Sequence, residues 1–371
     1  MSIRHISLIA LVFTLSLSGC VQAVHAQKIK TDQSWRQAAA LYRSDTLTIR
    51  FFGDIMMHSA QIEASSKGFS TYFRHLEDKI KEADIAIANM EFTLAGEPYS
   101  GYPAFSAPDE YAKYIAQCGF DIFLCANNHI FDKGSKGAER TIEVYRKLRK
   151  EYGIEYTGLA ADEEDLGKTL PLFISRKGIR IALVNMTYGT NLGATSHWPK
   201  VTYKGATSQI EAALDKAEKG ADLTIALPHW GEEYQLLHSP SQEKTAQWLA
   251  DHGADLVIGC HPHVVQDTGI VNGIPVAYSL GNLVSNMSAQ NTQLELMVTV
   301  RVVREQDGSV KMLPMELKHL WCSRPGGLHE SYSVIPVEEY IGKRDLWIGP
   351  WDYDKMVATY ERVRKTHNNE H

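Results

Sequence analysis

From Thr46 onward, short apolar runs alternate with amphipathic stretches, and run after run ends in polar residues able to do chemistry. Residues 47–52 lead into Gly53-Asp54, residues 84–88 into Asn89-Met90-Glu91, and residues 120–124 into Asn127-Asn128-His129 and Asp132-Lys133-Gly134. Residues 223–227 lead into His229-Trp230-Gly231, and Leu256-Val257-Ile258 into Gly259-Cys260-His261-Pro262-His263. Runs this short read as buried strands, whereas residues 72–83, 108–117, 138–152, 208–219 and 242–252 have helical periodicity. The alternation predicts an α/β domain with substantial parallel sheet. In such sheets the carboxyl ends of the strands open onto one edge, where ligand sites gather. Chance would scatter the same polar residues over helix faces and loops.

Beyond this region the texture changes. Residues 264–280 contain an Asn272-Gly273 hairpin turn. Residues 294–304 and 310–320 form a long hairpin around Gln306-Asp307-Gly308, and residues 353–365 read as a terminal helix. No composition break divides residues 46–350, so one domain with an antiparallel C-terminal extension is expected there, followed by a helix and tail over 351–371.

The N-terminus reads as an export signal rather than as part of the fold. Arg4 and His5 precede an apolar run over 6–17 and then Leu17-Ser18-Gly19-Cys20. The run is too short for a transmembrane helix. Leu-Ser-Gly-Cys resembles a bacterial lipobox, which makes 1–20 a lipoprotein-type signal peptide, Cys20 the lipid attachment point and 21–45 a tether. The alternative is plain secretion with cleavage after Ala26. The first reading implies an envelope protein, periplasmic or at the cell surface, held to a membrane by lipid on Cys20. With 44% hydrophobic and 22% charged residues the composition is that of a soluble globular protein. A formal net charge of -6 gives no basic footprint for nucleic acid, and none is expected as a partner. Cys118, Cys125, Cys260 and Cys322 show no disulfide or zinc-ribbon spacing and read as buried thiols.

The strand-end residues suit a metal. Neutral imidazole is the commonest side-chain metal ligand. In an extended segment His261 and His263 would share a face and aim into one pocket. Imidazoles combined with the oxygens of Asp54, Glu91 and Asn128 fit manganese, zinc or iron, whereas calcium prefers oxygens throughout. Two ions sharing a bridging carboxylate would need about six or seven protein ligands, close to the number present. Taken singly, each residue has a plainer role: Asp54 as a helix N-cap, Asn128 as a turn residue, His129 as a structural histidine. Glu233 either orients His229 or is simply solvated.

Gly53-Asp54, Asn89-x-Glu91, Ala126-Asn127-Asn128-His129-x-x-Asp132-x-Gly134, His229-Trp230-Gly231-x-Glu233, Gly259-x-His261-Pro262-His263 and Ser279-Leu280-Gly281-Asn282 together resemble the successive motifs of the bacterial capsule-synthesis CapA (poly-γ-glutamate synthesis, PGA_cap) family. That family lies within the calcineurin-like metallophosphoesterase superfamily. The resemblance implies a four-layer α/β/β/α sandwich, with Asp54, Glu91 and His263 at one metal, Asn128, His229 and His261 at a second, and Glu91 bridging. It makes His129 a general acid oriented by Asp132. Met56 stands where the superfamily usually has a histidine, and His58 could replace it only if the loop curls. Two functions follow. One is a metal-dependent hydrolase of the phosphoesterase type, using one or two divalent ions on an envelope polymer or phosphoester during capsule or envelope-polymer synthesis. The other is a non-catalytic subunit working with membrane-bound polymer synthase subunits.

Overall fold

Two β-sheets stack face to face with helices on both outer sides, in a computed structural model that describes residues 46–193 and 196–368. The expected signal peptide, Cys20 and the tether lie outside the described residues.

The first sheet is built from β1 (Leu47–Ile55), β2 (Ile85–Met90), β3 (Ile122–Leu124) and β4 (Glu155–Thr157), all parallel. The antiparallel strand β14 (Leu294–Arg304) borders β1 on its other side, followed by β16 (Glu316–Ser323) and β17 (Ser333–Pro336). The short β13 (Asn282–Val284) adds onto the end of β1, and β15 (Val310–Met312) onto β14. The second sheet runs β11 (Thr268–Val271), β12 (Ile274–Ala277), β10 (Leu256–Ile258), β9 (Leu223–His229), β7 (Ile179–Thr187), β6 (Leu172–Arg176). Its inner strands β12, β10, β9 and β7 are parallel, and the short β5 (Leu159–Ala160) and β8 (Lys200–Val201) pair with each other outside both sheets.

Side-chain alternation builds the layers. On β1 and β2, Leu47, Ile49, Phe51, Ile85 and Ile87 face the second sheet, which answers with Ile181, Leu183, Ile225, Leu227, Leu256 and Ile258. The opposite faces, Phe52, Ala86, Ala88 and Phe123, pack under α1 (Asp109–Gln117) and α2 (Gly134–Tyr152). Val184, Ala226 and Val257 on the second sheet's outer face meet α3 (Thr207–Gly220) and α4 (Pro240–Asp251). This is the four-layer sandwich that the resemblance implies. Where the first sheet extends past β1, the terminal helix α5 (Pro350–Asn368) contributes Met356, Tyr360 and Val363 to the same apolar layer. The expected hairpins at Asn272-Gly273 and Gln306-Asp307-Gly308 are present.

One expected helix is largely absent. Over 72–83 only Glu77–Lys81 is helical. Phe69, Tyr72, Phe73, Leu76 and Ile80 are all buried at helix-like spacing, but the Tyr72 carbonyl accepts from Val334 N–H at 2.8 Å. The Phe73 N–H donates to the Tyr114 hydroxyl at 3.1 Å. Tertiary partners thus take the backbone groups a helix would need. Among the described residues no helix is long and apolar enough to cross a membrane.

Candidate metal centre

The inter-sheet apolar layer ends, at the carboxyl ends of the parallel strands, in a buried polar cluster. β2 continues its inward alternation from Ile85 and Ile87 to Asn89 and then Glu91. β9 does the same from Ile225 and Leu227 to His229. On β1 alternation alone would turn Asp54 away, to the side of Phe52. The pairing slips instead: Phe52 lies opposite Ala88, but Asp54 lies opposite Asn89. This bulge at Gly53 brings Asp54 round to the inner face, a common use of bulges. A side chain at 53 has no room, because a Cβ there would sit 2.0 Å from the Gly281 carbonyl oxygen. That oxygen accepts from the Asp54 N–H at 2.9 Å.

His261 and His263 converge as expected, but not by extension. Their φ angles are +103° and +59°. The carbonyls of Cys260 and Pro262 accept from Trp230 N–H at 3.0 Å and Tyr234 N–H at 2.9 Å. The segment is therefore coiled against the loop after β9, and this coil aims the rings.

The structure gathers Asp54, Glu91, Asn128, His129, His229, His261 and His263 in one place, all essentially buried. Ligand atoms of Glu91, His261 and His263 lie within 4.8 Å of one another, as do those of Asp54, Glu91 and His229. Glu91 belongs to both groups, as a bridging carboxylate would, although the histidines divide differently from the assignment the resemblance implies. Asn128 Oδ1 lies 2.8 Å from His229 Nε2. His263 Nδ1 meets Asn282 Oδ1 at 2.9 Å and Asp54 Oδ2 at 3.3 Å, which leaves Nε2 facing the cluster.

Glu91 tests whether a cation fits. Both of its carboxyl oxygens are buried without a hydrogen-bond partner, as is His261 Nδ1. Its Oε1 lies 3.6 Å from His229 Nε2, 3.8 Å from His263 Nε2 and 4.0 Å from His129 Nε2. These are too long for hydrogen bonds. They match the roughly 3–4 Å between two ligands of one ion whose metal bonds are about 2.0–2.2 Å. Burial, then the charge of Asp54, pushes the Glu91 carboxyl well above its usual range. Burial, then the other imidazoles, holds His229 well below the usual histidine range and His261 at about 3. Burial would raise Asp54, but hydrogen bonding with His263 and the surrounding imidazoles hold it at about 2. His229 and His261, kept neutral by burial, face a carboxyl whose two oxygens have no hydrogen-bond partner, and a divalent cation would favour the ionised Glu91 that burial otherwise disfavours.

His129 sits beside this cluster. Its Nδ1 lies 2.7 Å from Asp132 Oδ2, so Nδ1–H donates to the carboxylate and Nε2 points toward Glu91. The Asp132 carboxylate also accepts from Phe105 N–H at 2.8 Å, which fixes it.

Sequence reasoning gives several contributors no role: Asn89 enters only within its motif, and Asn185 and Asn191 do not enter at all. Asn89 donates to Asp54 Oδ1 at 2.7 Å and reaches His229 Nδ1 at 3.3 Å, the position considered for Glu233, which is exposed. The Asn89-x-Glu91 spacing signals that both residues share a face. Asn185 Oδ1 accepts from Ala126 N–H at 2.8 Å while its amide donates to the Leu227 carbonyl at 2.8 Å, tying the two sheets together behind the site. Asn191, far along the chain, braces Asn128 through its backbone N–H at 2.9 Å and reaches His129 Nδ1 at 3.1 Å. Nothing in the sequence around Asn185 or Asn191 marks them. Asp54 caps no helix, since the next helix (Ser59–Ala64) has His58 at its N-cap. His58 interacts with Gln61 and the Asn286 N–H and belongs to neither ligand group. Trp230 packs in the core, its indole N–H donating to the Tyr278 carbonyl.

Comparison with known proteins bears on this geometry. A family profile described as "Bacterial capsule synthesis protein PGA_cap" matches residues 48–287. The chain is 30% identical over 292 residues to the "Capsule biosynthesis protein CapA" of Bacillus anthracis, covering 74% of this chain and 68% of that one. It is 26% identical over 288 residues to the "PGA biosynthesis protein CapA" of Bacillus subtilis (strain 168), covering 74% and 73%. Among solved structures it resembles a putative 5'-nucleotidase from Staphylococcus aureus, with a TM-score of 0.50 and 13% identity. That match covers 73% of this chain and 54% of the nucleotidase, about half its length, and the likeness is one of fold.

Proposed function

The chain belongs to the bacterial capsule synthesis protein family PGA_cap and has a calcineurin-like metallophosphoesterase fold, and from these premises we propose that it is a metal-dependent hydrolase of the phosphoesterase type acting on an envelope polymer or its phosphoester precursor. The observation that carries this reading is Glu91, a buried carboxylate with no hydrogen-bond partner, facing imidazole nitrogens at ligand-to-ligand spacing. Asp54, Glu91, Asn128, His229, His261 and His263 would hold the metal, manganese, zinc or iron by their donor chemistry. A divalent ion supplies Lewis acidity there, offsetting negative charge that develops on the substrate.

The chain's own residues do the rest. Asp54 stays ionised through its bond with His263, and Asn282 sets the tautomer of that imidazole. Asp132 holds the His129 ring with Nε2 toward the site, where it can donate a proton to the departing group. Phe105 packs edge-on against His129 at 4.6 Å and keeps water from that side of the ring. In this reading the protein is exported and tethered through Cys20, and membrane-bound polymer synthase subunits are its partners.

The test is turnover of bis(p-nitrophenyl) phosphate by the full-length protein loaded in turn with manganese, zinc and iron, with and without chelator. Chelator-sensitive turnover with at least one metal is expected. Metal binding with no turnover of this ester, or of phosphoester-linked envelope fragments, would contradict the hydrolase and leave the accessory subunit as the better reading.

A further inference from the structure

The metal centre lies at the carboxyl ends of the strands, and the opposite end of the molecule carries charge that the hydrolase reading does not use. There an open depression of about 570 Å³ lies between α3 and the β6–β7 hairpin, with Phe173, Arg180, Asp215, Lys216 and Lys219 in its lining. The Phe173 ring packs over Gly220, where a Cβ would stand 2.9 Å from its Cζ. The Arg180 guanidinium lies 4.3 Å from the centroid of that ring and the Lys216 amino group 5.9 Å, so both cations gather on one aromatic floor. Lys216 and Lys219 are exposed, and Arg180 is half-buried. The ion pairs nearby join Lys177 to Asp84 at 2.8 Å and Arg304 to Asp222 at 3.0 Å. Among the described residues they leave Arg180, Lys216 and Lys219 without an ion-pair partner, against the single acid Asp215 in the lining.

The chain enters the fold at this same end. Lys177, in the turn between β6 and β7, donates to the Thr46 carbonyl at 3.0 Å, which places Thr46 beside the hairpin that carries Arg180. At the far end of β7, Thr187 lies opposite His229. The seven steps from Arg180 to Thr187, at about 3.3 Å each, put roughly 23 Å between the cations and the metal centre. A lipid on Cys20 would hold the protein through residues 21–45, which join the fold at Thr46.

We propose that this end docks on an anionic membrane surface, with Arg180, Lys216 and Lys219 against lipid phosphates and the metal centre turned away from the bilayer. The depression has the volume of a small-molecule site, room for a headgroup between the three cations. The chain as a whole carries a formal charge of -6, which anionic headgroups repel, so attraction has to come from a local face. Lysine and arginine stems lie along apolar surface while their charged heads reach the headgroup layer. The pull of a few basic residues is weak and fades within a Debye length. It orients a protein that its anchor already holds and does not replace the anchor. The inference rests on the proposed attachment at Cys20 for bringing the bilayer near, whereas a preference between two lipid compositions is blind to that attachment.

The experiment mixes the full-length protein with vesicles of phosphatidylcholine, alone or blended with phosphatidylglycerol, and reads the bound fraction by sedimentation. The parent is expected to bind the anionic vesicles at least tenfold more tightly, with the preference gone at ~1 M salt. Lys216→Glu combined with Lys219→Glu should remove most of the preference, since each basic residue lost costs roughly fivefold. Lys244→Glu makes the same charge change on α4, toward the carboxyl ends of the strands, and should keep it. On anionic vesicles Lys216 and Lys219 of the parent should acetylate at least threefold more slowly than on neutral ones, and Lys244 at one rate on both. No preference in the parent, a preference that survives the double variant or is lost in Lys244→Glu, or equal protection of Lys244 would overturn the proposal. So would tighter binding to a soluble aspartate oligopeptide, which would make the face a site for an acidic protein. A parent that is soluble in cells yet keeps the lipid preference supports the face and refutes only the anchor.

Discussion

Glu91 and His129 sit within 4.0 Å of each other, yet the structure asks opposite things of them. The Glu91 carboxyl has no hydrogen-bond partner, whereas His129 is held by Asp132 and reached by Asn191. His129→Ala should therefore keep the metal and lose turnover, by about 100- to 10,000-fold as expected for a general acid. Metal loss in that variant, read by elemental analysis, would make His129 a ligand instead. Glu91 also sets a pH dependence in the metal-free protein. Its folded-state pKa lies above the unfolded one, so the folded chain binds the proton more tightly. Metal-free stability should then fall as pH rises from about 4.3, the ordinary glutamate value, through the raised one. Glu91→Gln removes the charge, so metal-free Glu91→Gln should melt higher than the parent at pH 7, with the gap closing toward pH 4. An unchanged gap across that range in thermal melts would show that Glu91 does not bear this burden. At this scale the sequence was readable where a polar residue ended an apolar run, as at Asp54, Glu91 and His229. It was silent on Asn185 and Asn191, whose partners are brought close only by folding.

Strands place these residues, and one irregularity matters most. Regular alternation would aim Asp54 at the helices, and the bulge at Gly53 turns it inward beside Asn89. Gly53→Ala forces a methyl group onto the Gly281 carbonyl. It should destabilise the fold by about 2–3 kcal/mol, the scale of overpacking, and weaken metal binding with it. A urea midpoint matching the parent's would mean that β1 needs no glycine there. The strands of both sheets' parallel parts were legible because buried strands leave compact apolar runs. The helix expected over 72–83 was misread because its periodicity reflects burial while Val334 and Tyr114 hold its backbone. The histidine pair was expected to converge in extended backbone and converges instead through positive φ, which residue types alone do not reveal.

For the whole molecule, two sheets meeting at their strand ends make a centre that neither sheet could build alone. β1 and β2 bring the carboxylates, while β9 and the coil after β10 bring the imidazoles. The four-layer arrangement came from a resemblance of motifs in order, since periodicity by itself supports only α/β with antiparallel additions. If Cys20 carries lipid, Cys20→Ala should move the protein from membranes to the soluble exported fraction. Retention on membranes would dismiss the anchor. The account as a whole stands on a metal held through Glu91, and the most direct measurement is the metal bound per chain after reconstitution, in the parent and in Glu91→Gln. The account predicts one tightly held ion and a second, more easily exchanged, in the parent, with both lost from Glu91→Gln because Glu91 belongs to both ligand groups. A parent that binds no metal, or a Glu91→Gln variant that binds as the parent does, would contradict it.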